Sequence, residues 1–329
     1  MQRRGFITLL GGAAATWPLA ARAQQPAGRI YRIGYLSAPS RESVQRTLDA
    51  FLRKLRELGW VEGSNLIIEY RWADGDVARL PELAVELVQQ NVDLIVAPNT
   101  AAAVAAKNAT SHIPVVMVFP SEPVELKLVS SLRRPGGNVT GTTFTAGPGF
   151  FGKLLETLKQ AVPAVSKVGV LGSSADPASV YHTGDLQAAA ITLGIQLQWF
   201  DVSGPDQLNQ TFVALASKPV DALLISSSGP LMPHRNKLAE LAIKARLPMI
   251  AFIREFAEAG TLLTYGVNLS EFVGRSAVYV DKILKGAQPA DLAVEQPTKY
   301  ELVINLHTAK ALGITISPAI LASADEVIE

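Results

Sequence analysis

Residues of the types that carry most enzyme chemistry are sparse in this 329-residue chain, and they are not spaced for catalysis. Residues 147–153 read GPGFFGK and imitate a phosphate-binding loop, but Leu154 stands where Ser or Thr must hold magnesium. The histidines at 112, 182, 234 and 307 have no metal-ligand spacing, and the chain has no cysteine to complete a zinc site. No G-x-S-x-G motif marks a nucleophilic serine. The sequence therefore predicts no catalytic residue, no cofactor and no metal site.

Hydroxyl and amide side chains instead recur directly after short apolar runs. Ser, Thr and Asn at such positions commonly cap the helix that follows, although a cap can also face a ligand. Because backbone N–H groups at a helix start lack partners, these positions suit a carboxylate or another anion. Glu122 would suit an ammonium group. The predicted ligand-binding residues are Ser37, Asn99, Thr100, Ser121, Glu122 and Thr142 in the first half, and Ser173, Ser174 and Ser226 in the second.

Further candidates lie beside these positions in the second half. Ser227, Ser228 and Arg254 follow the same predicted strand ends. Phe252 and Tyr265 are predicted either to stack on a planar ligand or to belong to the core.

The elements that must position these residues are written twice along the chain. The first copy predicts strands at 32–37, 66–71, 93–97 and 114–119 with helices between them. The second copy predicts strands at 167–171, 196–200, 221–225 and 248–252. Its segments DALLI and PMIAF correspond to DLIVA and PVVMV of the first copy. Strands that are apolar throughout and alternate with helices indicate parallel sheets covered on both faces. The predicted fold class is therefore α/β, with two Rossmann-like lobes.

The remaining segments predict how the lobes are joined. Residues 138–149, rich in Gly and Thr, form the first predicted crossover, and a helix over 272–283 and a strand at 299–304 cross back between the lobes. About three crossovers make a hinge. The predicted N-terminal lobe comprises residues 28–142 plus about 262–292, and the predicted C-terminal lobe 143–261 plus about 293–329. A ligand cleft is expected beyond the carboxyl ends of the strands.

The first 23 residues have the layout of an export signal peptide. Arg3 and Arg4 precede an apolar run at 6–20, and the small residues of 21–23 fit a cleavage site before Gln24. The start resembles the twin-arginine pattern, which favours that route over general secretion. The sequence therefore predicts a soluble protein of the periplasm.

Charge and composition narrow the partners. Loss of Arg3, Arg4 and Arg22 with the signal changes the formal net charge from +1 to −2, which argues against nucleic acid. Without cysteine the exported chain carries neither a disulfide nor a lipid-modified cysteine.

Several long stretches resemble a known family. They are 55–75 (LRELGWVEGSNLIIEYRWADG), 80–88, 105–116, 132–143, 254–266 and 279–313, and they span essentially the whole chain after the signal. The chain resembles the substrate-binding proteins of ABC-type transporters, in the group that includes tryptophan/tyrosine-type uptake proteins. The resemblance implies a type I periplasmic-binding fold and capture of a small solute by hinge closure. The chain is expected to be a monomer without enzymatic activity. It also implies delivery to a membrane permease whose ATPase is encoded separately.

The chain departs from the family pattern at two places. Ser121-Glu122-Pro123 stands where relatives often have Gly-Asp-Pro, and Gly172-Ser173-Ser174 where they commonly have Trp-Asn-Pro. The expected ligand is therefore an amino acid or a similar small carboxylate, without a narrower assignment. An alternative function is an exported sensor that presents its solute to a membrane receptor.

Overall fold

The structure, a computed structural model, describes residues 29–144, 149–202, 205–226, 229 and 231–329. The predicted export signal, Ser227, Ser228 and the first two residues of the GPGFFGK run lie outside these ranges. Within them, no helix combines the length and apolarity that crossing a bilayer requires.

The first lobe is a five-stranded parallel sheet covered by helices. Its strands are β1 Tyr31–Ser37, β2 Leu66–Trp72, β3 Leu94–Ala97, β4 Val115–Met117 and β5 Val139–Gly141. Its helices are α1 Gln45–Glu57, α2 Leu80–Gln89 and α3 Thr100–Ala109. The strand order β2-β1-β3-β4-β5 is that of a doubly wound sheet, with the chain leaving β1 in one direction and returning across it to β3.

The second lobe repeats this arrangement around a larger sheet. Its strands are β6 Lys167–Gly172, β7 Gln196–Asp201, β8 Ala222–Ile225, β9 Met249–Ile253, β10 Leu263–Val267, β11 Glu301–Asn305 and β12 Glu326–Ile328. The later helices of the chain are α4 Phe150–Ala161, α5 Ser179–Leu193, α6 Pro205–Ser217, α7 Arg235–Lys244, α8 Arg254–Glu258, α9 Leu269–Leu284, α10 Leu306–Leu312 and α11 Pro318–Ser323. The strand order is β12-β11-β10-β9-β8-β6-β7, with β10 and β11 antiparallel.

The predicted α/β fold with two parallel-sheet lobes is confirmed. Both ends of each predicted strand lie within two residues of the ends of an observed strand. Three strands were not predicted. β5 and β12 have three residues each, too few to show a strand pattern, and β10 contains Gly266 and a register shift against β9.

The chain crosses between the lobes three times. It leaves β5 through Phe144 to α4, which packs on α5 and β9. It returns after β10 to α9, which packs on α1. It crosses again near Glu295, which bridges to Thr142 before the chain enters β11. Because β10 pairs with β9 and β11, residues 263–267 belong to the second sheet, and the boundary predicted at about 262 is corrected to the end of β10.

Two glycines lie where the backbone leaves no room for a side chain. A Cβ at Gly141 in β5, where φ is +133°, would lie 2.0 Å from the carbonyl oxygen of Met117 in β4. A Cβ at Gly266 in β10 would lie 1.8 Å from the carbonyl oxygen of Phe252 in β9. Both glycines are on the strand that leads into a crossing, so glycine permits close backbone contact at corresponding places in the two lobes.

We expect Gly141→Ala and Gly266→Ala each to lower the free energy of unfolding by about 1–3 kcal/mol, because the backbone must shift to admit the methyl group. Gly184→Ala on α5 is the control, since a Cβ there meets nothing within 4 Å and Ala favours a helix interior over Gly by about 0.5–1 kcal/mol. Denaturant unfolding measures all three. Equal stability of Gly141→Ala, Gly266→Ala and the control would contradict the packing described here.

Candidate functional site

A cavity of about 560 Å³ lies between the lobes, at the carboxyl ends of their strands. Its first-lobe wall is formed by the residues that follow β1 to β4 and by the start of α1. Its second-lobe wall comes from the start of α5, the turn at Met232–His234 and the end of β9. The volume falls in the range of small-molecule sites.

Five of the predicted site residues line this cavity: Ser37, Asn99, Thr100, Ser121 and Phe252. Asn99 caps α3, because its Oδ1 accepts the N–H of Ala102 at 2.9 Å. Its Nδ2 is buried and has no hydrogen-bond partner among the described residues. The Asn99 amide therefore holds the helix with its oxygen and offers an unused donor with its nitrogen.

The other predicted residues do not line the cavity. Glu122 is half-buried outside it, and Thr142 is buried beside β4, where its Oγ1 accepts the N–H of Phe119 at 3.4 Å. Tyr265 packs against two rings at the hinge, with its centroid 6.1 Å from that of Phe150 and 6.0 Å from that of Tyr300. Of the two aromatic candidates, only Phe252 faces the cavity.

The second-lobe serines are engaged in local structure. Ser174 Oγ donates to Asp201 Oδ2 at 2.5 Å, which turns its side chain toward β7. Ser173 Oγ accepts the N–H of Ala175 at 3.2 Å, and Ser226 Oγ donates to the carbonyl of Leu171 at 3.3 Å. Arg254 pairs with Glu258, Glu301 and Glu326 instead of lining the cavity. Hydrogen bonding within the lobe thus accounts for the positions of these side chains.

Sequence reasoning missed three aspartates of the cavity wall, Asp74, Asp76 and Asp176. Asp74 and Asp76 follow the end of β2, so the strand-end rule would have found them had it been applied to that strand. Asp176 lies four residues beyond β6, where its Oδ1 accepts the N–H of Ala178 at 3.0 Å. No lysine or arginine among the described residues lines the cavity, so its wall is acidic, although Asp74 also pairs with Arg79 at 3.4 Å outside the lining.

His182 was dismissed as a metal ligand but lines the cavity from α5. It is 2% exposed, and its ring lies against that of Phe151 with 4.0 Å between centroids. Nδ1 lies 2.8 Å from the carbonyl oxygen of Ser226. Across the described parts of the chain, no group of three or more His, Asp or Glu side chains could hold a metal ion.

The GPGFFGK run leads into α4, and a carboxylate already occupies the start of that helix. Asp185 accepts the N–H of Gly149 at 2.7 Å and that of Phe151 at 3.0 Å. These backbone groups are the ones a phosphate would need.

The two lobes touch at the mouth of the cavity. The turn at Glu42–Val44 of the first lobe contacts the turn at Met232–His234 of the second. Beside them Arg46 Nη1 lies 2.6 Å from Glu258 Oε2. Loops from both lobes therefore enclose the cavity.

The comparisons with known proteins agree with this architecture. The model of the family described as ABC transporter substrate binding protein matches residues 33–328. The chain belongs to this family. It is 28% identical over 282 residues to a tyrosine-binding protein of Clostridioides difficile, covering 86% of this chain and 81% of the relative.

Two solved structures bear on the arrangement of the lobes. A domain from Streptococcus pneumonia in complex with L-Trp is 26% identical and has a TM-score of 0.82, covering 91% of this chain and 100% of that one. A ligand-free, open substrate binding protein from Clostridium difficile is 25% identical, with a TM-score of 0.63 over 91% of this chain and 99% of that one. At nearly equal identity and coverage, the family member described here is thus nearer in shape to the L-Trp complex than to the open structure.

Glu122 has an unusual environment for a carboxylate in a loop. Its backbone is left-handed, with φ of +49°. Burial, then the neighbouring Glu125 and Asp185, raise the pKa of Glu122 to about 7. Asp185 belongs to the second lobe, so the Glu122 carboxylate senses negative charge across the hinge. Glu122 is therefore better suited to titrate near neutrality than to hold an ammonium group permanently.

We expect Glu122→Gln to be increasingly more stable than the wild type as pH rises from about 5 to about 8. A carboxyl whose pKa is raised on folding favours the folded state in its protonated form, so ionisation costs stability as pH passes from 4.5 toward 7. Thermal unfolding across this pH range measures the effect. Glu240→Gln, on the exposed face of α7, makes the same charge change away from the hinge. Parallel stability curves for the wild type and Glu122→Gln would contradict this assignment.

Proposed function

We propose that this substrate-binding protein captures an amino acid with an aromatic or large apolar side chain and presents it to the permease of an ABC importer. It acts outside the cytoplasmic membrane, does no chemistry on its ligand, and works with an ATPase encoded separately.

The polarity of the cavity carries the proposal. Three aspartates favour a cationic group on the ligand, and the ligand's own anionic group cannot pair with a lysine or arginine of the described wall. The unused Nδ2 of Asn99 and the start of α3 supply neutral donors for a carboxylate. A zwitterion satisfies both requirements.

The cavity floor favours an apolar side chain on that zwitterion. Phe119 and Phe252 belong to the buried aromatic cluster of the hinge and also line the cavity. A tyrosine-binding relative and the L-Trp complex support the same class of ligand.

The proposed closure of the lobes follows from the positions of the polar groups of the cavity wall. Asn99 and the first two aspartates belong to the first lobe, whereas Asp176 and His182 belong to the second. A ligand contacts both sets only when the lobes are closed, so binding shifts the population toward that form. The permease would then recognise the closed pair of lobes.

A panel of amino acids and small carboxylates tests the ligand class by thermal shift and calorimetry. We expect aromatic or large apolar amino acids to raise the melting temperature of the wild type. Asn99→Asp keeps an oxygen to cap α3 but replaces the free donor by a negative charge, so affinity should fall at least about tenfold.

Asn91→Asp is the matched control, because Asn91 lies in an exposed turn away from the cavity, and its affinity should equal that of the wild type. A panel in which no aromatic or large apolar amino acid shifts the melting temperature would contradict the proposal.

Export by the twin-arginine route gives a separate expectation. Replacing Arg3 and Arg4 by lysine keeps the charge but removes the paired arginines. The double variant should remain uncleaved in the cytoplasm, whereas the wild type should be recovered from the periplasm beginning at Gln24. Normal export of the lysine variant would instead indicate the general secretory route.

A further inference from the structure

The ring of His182 is held in one orientation by two contacts within the second lobe. The Ser226 carbonyl can only accept a hydrogen bond, so the 2.8 Å contact requires that Nδ1 of His182 carries the proton. The ring of Phe151, whose centroid is 4.0 Å away, restricts rotation of the imidazole ring about its bond to Cβ. Nε2 therefore lies on the side of the ring opposite the Ser226 carbonyl.

His182 lines the cavity, and its Nε2 is a buried acceptor without a partner among the described residues. Burial lowers the pKa of His182, an effect larger than the opposing influence of Asp176 and Asp185, so the ring is neutral near pH 7. Nε2 then bears a lone pair and no proton, and no described residue donates to it. A buried acceptor without a donor is costly, and because His182 belongs to the cavity wall, a donor carried by the ligand would satisfy it.

The nature of that donor follows from the surrounding groups. An ammonium group pairs better with the carboxylates of Asp74, Asp76 or Asp176, since the neutral imidazole offers no charge. The His182 acceptor lies among aromatic side chains, with Phe151 against its face and Phe252 in the same cavity. This setting matches a neutral O–H or N–H carried by an aromatic ring.

We propose that His182 Nε2 accepts a hydrogen bond from the ring donor of the ligand, a phenol O–H or an indole N–H, and so rejects rings that lack one. Asn99 on the opposite lobe would then receive the carboxylate, which orients the ligand across the cavity. The inference rests on the proposed capture of an amino acid and goes further by naming the residue that selects its side chain.

Two ligand pairs test this selection: tyrosine against phenylalanine, and tryptophan against its 1-methyl derivative. In each pair the second compound lacks the ring donor. Calorimetry on the wild type should show at least about tenfold discrimination in one pair or both, because the unmatched compound leaves Nε2 buried and unpaired.

Two variants separate the acceptor from the packing of the ring. His182→Asn places an amide N–H where Nδ1 donates to Ser226 but has nothing at Nε2, so it should lose the discrimination while binding phenylalanine no more weakly than the wild type does. His182→Gln can place its amide oxygen near Nε2 and should retain part of the discrimination. The melting temperature of each ligand-free variant checks that it folds, and the two ligand pairs on the wild type remain a test if a variant does not fold.

The outcomes distinguish this inference from the proposed function. Equal affinity within both pairs, or discrimination that persists in His182→Asn, overturns the role of His182. If binding of these compounds still depends on Asn99, the proposed capture of an amino acid stands. Binding of none of the four compounds, with other classes of solute also inactive, overturns both.

Discussion

The packing of aromatic rings around Phe144 is the interaction on which the two-lobed structure depends. Phe144 is 2% exposed and lies on the first crossing between the lobes. Its ring centroid is 4.9 Å from that of Phe119, which follows the first-lobe strand β4, and 4.8 Å from that of Phe252 in the second-lobe strand β9. Such pairs contribute about 0.5–1.5 kcal/mol each beyond the area they bury. The hinge is therefore a packed core that joins both sheets.

This core also determines the character of the ligand site. Phe119 and Phe252 present part of their surface to the cavity, so the floor between the lobes is apolar wherever the hinge core reaches it. The polar groups belong to loops and helix starts of the two lobes, on either side of this floor. Opening the lobes moves these two polar sets apart while the aromatic floor stays with the hinge, so a ligand that needs both sets stabilises closure.

The cavity wall combines acidic side chains with neutral hydrogen-bonding groups. A wall with three aspartates and no described lysine or arginine suits the proposed zwitterion better than a simple anion. The unpaired nitrogens of Asn99 and His182 have opposite hydrogen-bonding character and come from opposite lobes. They match the proposed ligand, which has an acceptor at one end and a donor at the other.

The site could be predicted from sequence where a strand end alone determines position. Ser37 ends β1, and Asn99 and Ser121 follow the ends of β3 and β4 within four residues. Parallel strands bring their carboxyl ends to one edge. His182 could not be found in this way, because it lies within α5 and reaches the cavity through the orientation of that helix. Ser174 does not line the cavity for another reason: its hydroxyl donates a hydrogen bond to Asp201, which is distant in sequence.

The amino-acid sequence by itself determined the class of fold, because two sets of apolar runs alternating with helices can be buried only as two covered parallel sheets. It also determined the family, through stretches that span nearly the whole chain after its first residues. Only the tertiary structure decided which polar side chains face the ligand cavity. That choice depends on hydrogen-bond partners from other strands and on the angle at which each helix meets the cleft, and neither is encoded in local residue patterns.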